Sequence, residues 1–300
     1  MFFSKMDNIK KNIHCVIELG KRLSPLRYPG GKSRAVELIT KQYIIPNLSE
    51  GQGICSPFFG GGSIELYLSN NGYKVTGYDD FEPLVDFWKV LKENPKKLFK
   101  EVSSHKKLSK KGFKELQIQF REKSKSYTQT KRAALFYVLN RTSFSGTTLS
   151  GGMAVDYDKP ERSLDRRLPR FGKSSRDRIR DFSVKNFTVS KLDFRKSIEK
   201  NKNSLIYADP PYFIQNKGSL YGNQGDKMFT EKDHEDLAHI LNKMKNKKWI
   251  LSYNNDKHVR RLYSGRRIEE VEWAYGMSGV KSRKKKHSSE ILILSDGIRI

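Results

Sequence analysis

An α/β fold with a mostly parallel sheet and helices on both faces is predicted by three observations. Short apolar runs rich in Ile, Val, Leu and Tyr alternate with stretches of helical period. Two of those runs end in turn-forming residues, Pro57-Phe58-Phe59-Gly60-Gly61-Gly62 and Asp209-Pro210-Pro211-Tyr212, as strands do at the carboxyl edge of such a sheet. Between about Pro95 and Thr188 the alternation gives way to long helical runs with few strand signals, which predicts an insertion.

Met1 to Gly20 mixes polar and apolar residues with internal lysines and lacks the pattern of a secretory signal, so residues 1–24 read as an extension to which no function is assigned. A helical stretch runs from Ser33 to about Tyr43. Ile54 to Phe59 reads as the first strand, followed by the glycine turn and a helix from Ser63 to Ser69. Lys74 to Tyr78 is the second strand and Pro83 to Lys92 the next helix. After the insertion come strands over Val189 to Phe194 and Leu205 to Ala208, a helix over Glu231 to Lys245, and a strand over Trp249 to Tyr253. The closing runs, Ile268 to Trp273 and Glu290 to Leu294, are joined by a basic loop without helical pattern, so they are expected to form a hairpin. Residues 25–94 and 189–300 would then form one α/β unit, with 95–188 inserted between its second and third strands.

Three motifs carry chemistry. Asp209-Pro210-Pro211-Tyr212 leaves the buried run Leu205 to Ala208 with two residues that cannot donate backbone hydrogen bonds. A carboxylate, neighbouring carbonyl acceptors and an aromatic face suit a planar ring bearing an exocyclic amino group; a plain proline turn is the alternative. The glycine turn allows close backbone approach to a ligand and leads into a helix amino terminus with orphan N–H groups. The second strand ends in Asp79-Asp80, where an acid of an open α/β sheet can hold a ribose hydroxyl pair, although two turn acids would look the same. Near the amino terminus, Pro25-Leu26-Arg27-Tyr28-Pro29-Gly30-Gly31-Lys32 delivers a lysine to a helix start, to favour an anion or to serve as a structural turn. Its spacing is not that of a P-loop.

Together and in this order, these segments resemble the Dam-type DNA adenine N6-methyltransferases from about Pro25 to Leu294. Arg-Tyr-Pro-Gly-Gly-Lys is similar to that family's opening motif, and Pro-Phe-Phe-Gly-Gly-Gly-Ser to its S-adenosylmethionine loop. Asp80-Phe81-Glu82-Pro83 is similar to the segment after its second strand, which favours Asp80 over Asp79 as the ribose ligand. Leu192-Asp193-Phe194 resembles the strand end beside the cofactor adenine, Leu139-Asn140-Arg141-Thr142 the start of the DNA-recognition region, and Ser252 to Asp256 and Ser289 to Leu294 the closing strands.

The resemblance implies a Rossmann-like catalytic domain with an inserted, mainly helical DNA-recognition domain, and S-adenosyl-L-methionine as cofactor. It implies a cofactor site of Tyr28, Lys32, Phe59, Gly60, Gly61, Asp80, Asp193, Phe194 and Asp209, with Asp209, Pro210, Pro211 and Tyr212 receiving a flipped-out adenine. Double-stranded DNA is the implied partner. A restriction endonuclease is a cellular partner compatible with this reading, though not a required subunit. Two positions depart from the family pattern: Ser56 stands where an acid usually precedes the Pro-Phe pair, and Glu82 where an asparagine is usual. The stretch between Gly146 and Phe171 differs from the GATC-reading members, so no target sequence is carried over.

The charge agrees with a polyanionic partner. The 300 residues hold 59 Lys and Arg against 33 Asp and Glu, a formal charge of +26. Arg166, Arg167, Arg170, Lys173 and Arg176 crowd one segment interleaved with Phe171 and Phe182, while Lys284 and Lys285 lie in the basic loop of the closing hairpin. Asn140 and Arg141 are further candidates for DNA contact, or buried residues at the root of the insertion. The only cysteines, Cys15 and Cys55, form no disulfide framework or nucleophilic motif, which predicts a reducing, cytoplasmic location. No cluster has zinc spacing and no run approaches a membrane span, so neither a metal nor a membrane partner is expected. Two other readings stay open: the same chemistry on cytosine N4 or RNA adenine, and a non-catalytic nucleic-acid binder of the same fold.

Overall fold

The computed structural model describes residues 23–28, 30–106, 108–154, 168, 170–213, 229–244, 247–274 and 287–300. Seven strands form one sheet: β1 (Ile54–Ser56), β2 (Val75–Asp79), β3 (Phe187–Lys191), β4 (Leu205–Ala208), β5 (Trp249–Asn254), β6 (Arg267–Ala274) and β7 (His287–Leu294). Their order is β3-β2-β1-β4-β5-β7-β6. The first five pair in parallel, and β7 runs antiparallel between β5 and β6. This is a Rossmann-like sheet. Its order reverses between β1 and β4, which brings the glycine turn and Asp209 to one crevice at the carboxyl ends of neighbouring strands.

Side-chain alternation divides the core in two. Ile54, Val75, Leu205, Tyr207, Ile250 and Leu292 enter one apolar cluster, while Cys55, Tyr78, Ile206, Ala208, Leu251, Ile291 and Ile293 enter the other. Every residue of β1 and β4 is buried, as central parallel strands covered on both faces must be, whereas β3 alternates and lies at the edge.

The first face is covered by a helical segment that starts as α1 (Val36–Leu38) and continues as a π-helical stretch (Ile39–Ile44). With it pack α2 (Ser63–Asn70) and α3 (Glu82–Glu93). The second face is covered by α8 (Phe194–Lys200), α9 (Glu231–Lys243) and α10 (Lys257–Leu262). Between α3 and β3 lie α4 (Pro95–Ser103), α5 (Lys110–Lys123), α6 (Gln129–Thr142) and α7 (Lys173–Arg180). Their buried side chains continue the apolar cluster of the first face: Tyr137 of α6 stacks on Phe87 of α3 with ring centroids 5.5 Å apart. Arg132 of α6 also pairs with the buried Asp86 of α3.

The expected strands are all present, Leu205–Ala208 with the expected bounds and the others with shifted ends. β1 stops at Ser56 because Pro57 cannot extend the ladder. The stretch expected as a strand from Val189 pairs from Phe187 and ends at Lys191. The closing hairpin forms as expected, with β7 inserted beside β5.

Candidate active site

The glycine turn is shaped by what it must pass. Gly60 and Gly62 adopt φ of +48° and +66°, and Gly62 caps α2 in the left-handed region. The Tyr28 ring lies across the turn, so a Cβ on Gly61 would sit 2.7 Å from the Cβ of Tyr28. Gly60 donates its N–H to Asp79 Oδ2 (3.0 Å), and Trp88 Nε1 donates to the Gly60 carbonyl (3.0 Å). The Phe59 ring points the other way, buried between Trp88 and Phe187, where the missing side chain of Gly77 makes room for it. Phe59, expected at the cofactor site, has its ring in the core, and its backbone belongs to the turn.

The two acids at the end of β2 separate cleanly. Asp79 spends its carboxylate on the N–H groups of Gly60 and Phe81, both at 3.0 Å, and burial pushes its pKa up to about 6. It ties the first loop to the second. Asp80 is the exposed acid at the rim. After β3, Asp193 caps α8 by accepting from Arg195 N (2.9 Å), and its other oxygen pairs with the Arg195 guanidinium at 3.0 Å. Arg195 also reaches Asp233 and Asp236 at the start of α9. Phe194 stacks on Phe58 with centroids 5.4 Å apart, and Phe229 meets both rings. Phe58, which the sequence reading did not single out, thus lies against two aromatic rings beside the glycine turn; its neighbour Phe59 drew the attention because both share one motif.

Behind the crevice lies a buried polar network. Lys32, 2 % exposed, donates from Nζ to Asp209 Oδ1 (2.6 Å), Tyr212 Oη (3.0 Å) and the Gly30 carbonyl (3.1 Å). Glu290 Oε2 of β7 lies 3.5 Å from the same ammonium, and the Tyr212 hydroxyl donates to Glu290 Oε1. Burial raises the Asp209 pKa to about 6, against the opposing pull of Lys32, so the carboxylate is ionised at pH 7 and above. The network anchors the Tyr212 phenol and so fixes the orientation of its ring. Pro210 is buried and Pro211 half-buried beside it.

One further carboxylate belongs here. Glu65, in the first turn of α2 and almost fully buried, accepts from Ser56 Oγ at 2.7 Å. It lies close enough to feel the charges of both Asp209 and Lys32, and burial pushes its pKa up to about 7. The sequence signals for Glu65 and Glu290 were the same: a lone acid within a run of apolar residues, Ile64 to Leu68 and Glu290 to Leu294.

This constellation agrees with one family in particular. The pattern of the D12 class N6 adenine-specific DNA methyltransferases matches residues 28–277. The chain belongs to that family. It is 27 % identical to the Type II methyltransferase M.MjaIII of Methanocaldococcus jannaschii, over 90 % of this chain and 98 % of that protein. It is 24 % identical to a DNA adenine methylase of Vibrio cholerae, over 84 % of this chain and 88 % of that protein. The corresponding figure for M1.LlaDCHI, a Type II methyltransferase of Lactococcus lactis, is 22 % over 90 % and 94 %.

The candidate DNA-binding residues of this family member fall into three groups. Asn140 is buried: its amide oxygen receives the Arg27 N–H (2.9 Å) and its amide nitrogen donates to the carbonyls of Arg27 (2.7 Å) and Gly146 (3.0 Å). It clasps the chain just before Tyr28. Arg176 is likewise buried, with its guanidinium on the Phe171 carbonyl at 2.8 Å, a structural setting. Arg141 donates to the carbonyls of Arg170 (2.6 Å) and Pro25 (3.3 Å), continuing the clasp. Arg170 and Lys173 are exposed. Arg166, Arg167, Lys284 and Lys285 lie outside the described residues. Among the described residues no group of His, Cys, Asp and Glu is arranged to hold a metal ion, and no helix is long and apolar enough to cross a membrane.

Proposed function

We propose that this chain transfers a methyl group from S-adenosyl-L-methionine to N6 of an adenine flipped out of duplex DNA. The observation that carries the proposal is the meeting of the glycine turn and Asp209 at the switch point of the sheet, with Lys32 bonded to Asp209 behind them. The donor set fits the cofactor. The glycine turn lies beside the Tyr28 ring and leads into the amino terminus of α2, Asp80 stands exposed for a ribose, the Phe58–Phe194 pair offers a stacking surface, and buried carboxylates face the region of positive charge. When bound, the cofactor supplies an electrophilic methyl on a sulfonium.

The chain's own residues do the rest. An adenine within a duplex is out of reach, and extruding it costs a few kcal/mol. Stacking on the anchored Tyr212 ring returns about 1–3 kcal/mol. With Oδ1 of Asp209 held by Lys32, Oδ2 accepts a hydrogen bond from the adenine amino group and the Pro210 carbonyl accepts the other. The two acceptors aim the nitrogen lone pair at the methyl and stabilise the positive charge that develops on nitrogen. The amino proton leaves after transfer, so Asp209 need not act as a strong base.

Exposed Arg170 and Lys173, with the rest of the basic segment of 95–188, hold the DNA backbone. The test is incubation with labelled S-adenosylmethionine and duplex DNA, then digestion to nucleosides. Label in N6-methyladenine supports the proposal. Label in N4-methylcytosine, or only in an RNA substrate, would replace it with the same chemistry on another amine.

A further inference from the structure

Two carboxylates contact the Lys32 ammonium and a third, Glu65, feels its charge from further away, so the three are not equally served. Asp209 lies at 2.6 Å from Nζ and Glu290 at 3.5 Å, so the cation is shared between these two. Glu65, 4 % exposed, has a neutral donor, the Ser56 hydroxyl, at 2.7 Å. Among the described residues no Lys, Arg or His nitrogen lies within 4.0 Å of its carboxylate. A carboxylate withdrawn from water is costly unless a charge or several hydrogen bonds meet it. Its place is specific as well: it sits in the first turn of α2, directly after the glycine turn, on the side that faces Lys32 and Asp209. Its helix neighbours Ile64, Leu66 and Leu68 are buried apolar residues, so the acid contributes nothing to packing that an aliphatic residue would not do better.

Resting on the cofactor reading above, we propose that Glu65, oriented by Ser56, binds the α-ammonium group of the cofactor's methionine moiety. The occupant of that corner must be cationic, small and close to the glycine turn, and the ammonium of an amino-acid tail meets all three conditions. Ser56 is the positioning residue: its hydroxyl holds one carboxylate oxygen and directs the other toward the crevice. Lys32 has a different part: its contacts go to Asp209, Tyr212 and Glu290, and Glu65 feels its charge only from a distance. Burial, with a smaller push from the Asp209 charge, drives the carboxyl pKa up to about 7 in the unliganded chain against the pull of Ser56 and Lys32, and arrival of an ammonium favours the ionised form.

Titration calorimetry on the full chain with two unreactive ligands tests this. S-adenosylhomocysteine carries the ammonium, whereas 5′-methylthioadenosine lacks the whole amino-acid tail. Glu65→Gln, nearly isosteric, should weaken S-adenosylhomocysteine by about 30-fold or more and leave 5′-methylthioadenosine within about twofold. Ser56→Ala should weaken S-adenosylhomocysteine by a smaller factor, again selectively. Equal loss for both ligands would assign Glu65 to the architecture of the turn and overturn the proposal, as would an unchanged affinity for S-adenosylhomocysteine. If the natural chain binds neither ligand, the cofactor reading itself fails, an outcome separate from indifference of the variant.

Discussion

Replacing Lys32 by methionine removes an ammonium shared by Asp209, Tyr212 and Glu290 while keeping a side chain of similar length. Breaking a buried ion pair by deleting one partner costs about 3–5 kcal/mol. Asp209 keeps 22 % of its side chain exposed toward the crevice, so its share is discounted and about 2–4 kcal/mol at pH 8 is expected. The loss has a definite pH dependence. In the natural protein the Asp209 pKa is raised from 3.8 to about 6 even with Lys32 beside it, so this group lowers stability as pH rises between those values. Without the lysine the folded-state pKa moves higher, and the loss continues above pH 6. The deficit of Lys32→Met relative to the natural protein is therefore small at pH 5.5 and opens toward pH 8. Urea unfolding at the two pH values, followed by tryptophan fluorescence, measures it. A deficit of equal size at both values, or none at pH 8, would refute the assignment of Lys32 as the counter-charge of Asp209.

Glu65→Gln should show the converse sign in the unliganded protein. The Glu65 pKa is raised from 4.5 to about 7, so the natural chain loses up to about 3 kcal/mol between those pH values and the amide variant does not; thermal unfolding at pH 5 and 8 reads the difference. Gly77→Ala places a Cβ 2.0 Å from Phe59 Cδ2 in a ring wedged between Trp88 and Phe187, and a destabilisation of about 1–3 kcal/mol is expected by urea titration. Asn140→Ala removes the side chain that accepts the Arg27 N–H and donates to the carbonyls of Arg27 and Gly146, the latter keeping the Thr148 hydroxyl; a loss of about 1–3 kcal/mol by urea titration is expected, while the salt slope of DNA binding stays unchanged. Lys173→Ala, by contrast, should leave stability intact and reduce that slope by about 1 in a binding titration over salt.

The central sheet was legible because its signals are local. Leu205–Ala208 is an uninterrupted apolar run closed by Asp209 and two prolines, and it is the strand that the pattern predicts. The insertion of β7 between β5 and β6 was not legible, since pairing across the sheet leaves no mark on either segment. That non-local pairing brings Glu290 to Lys32, which is why the sequence offered Glu290 only as part of a strand. The burial of Asn140 and Arg176 was not decided by the sequence for a related reason: a polar residue in a helical stretch looks the same whether its head group meets solvent or a backbone carbonyl. Helix α6 carried a warning, because Ala133 to Asn140 is buried all round, unlike a surface helix. Ser56, a departure from the family pattern by sequence, turns out to be bonded to an acid nine residues onward.

The most direct test of the account is single-turnover methyl transfer to duplex DNA by Asp209→Asn, with S-adenosylhomocysteine affinity measured on the same preparation. The account predicts that transfer to adenine N6 falls by at least two orders of magnitude while cofactor-product binding changes little, because one amide oxygen cannot both hold Lys32 and receive the target amine. Transfer at the natural rate would contradict the assignment of Asp209 as the group that receives the adenine amine.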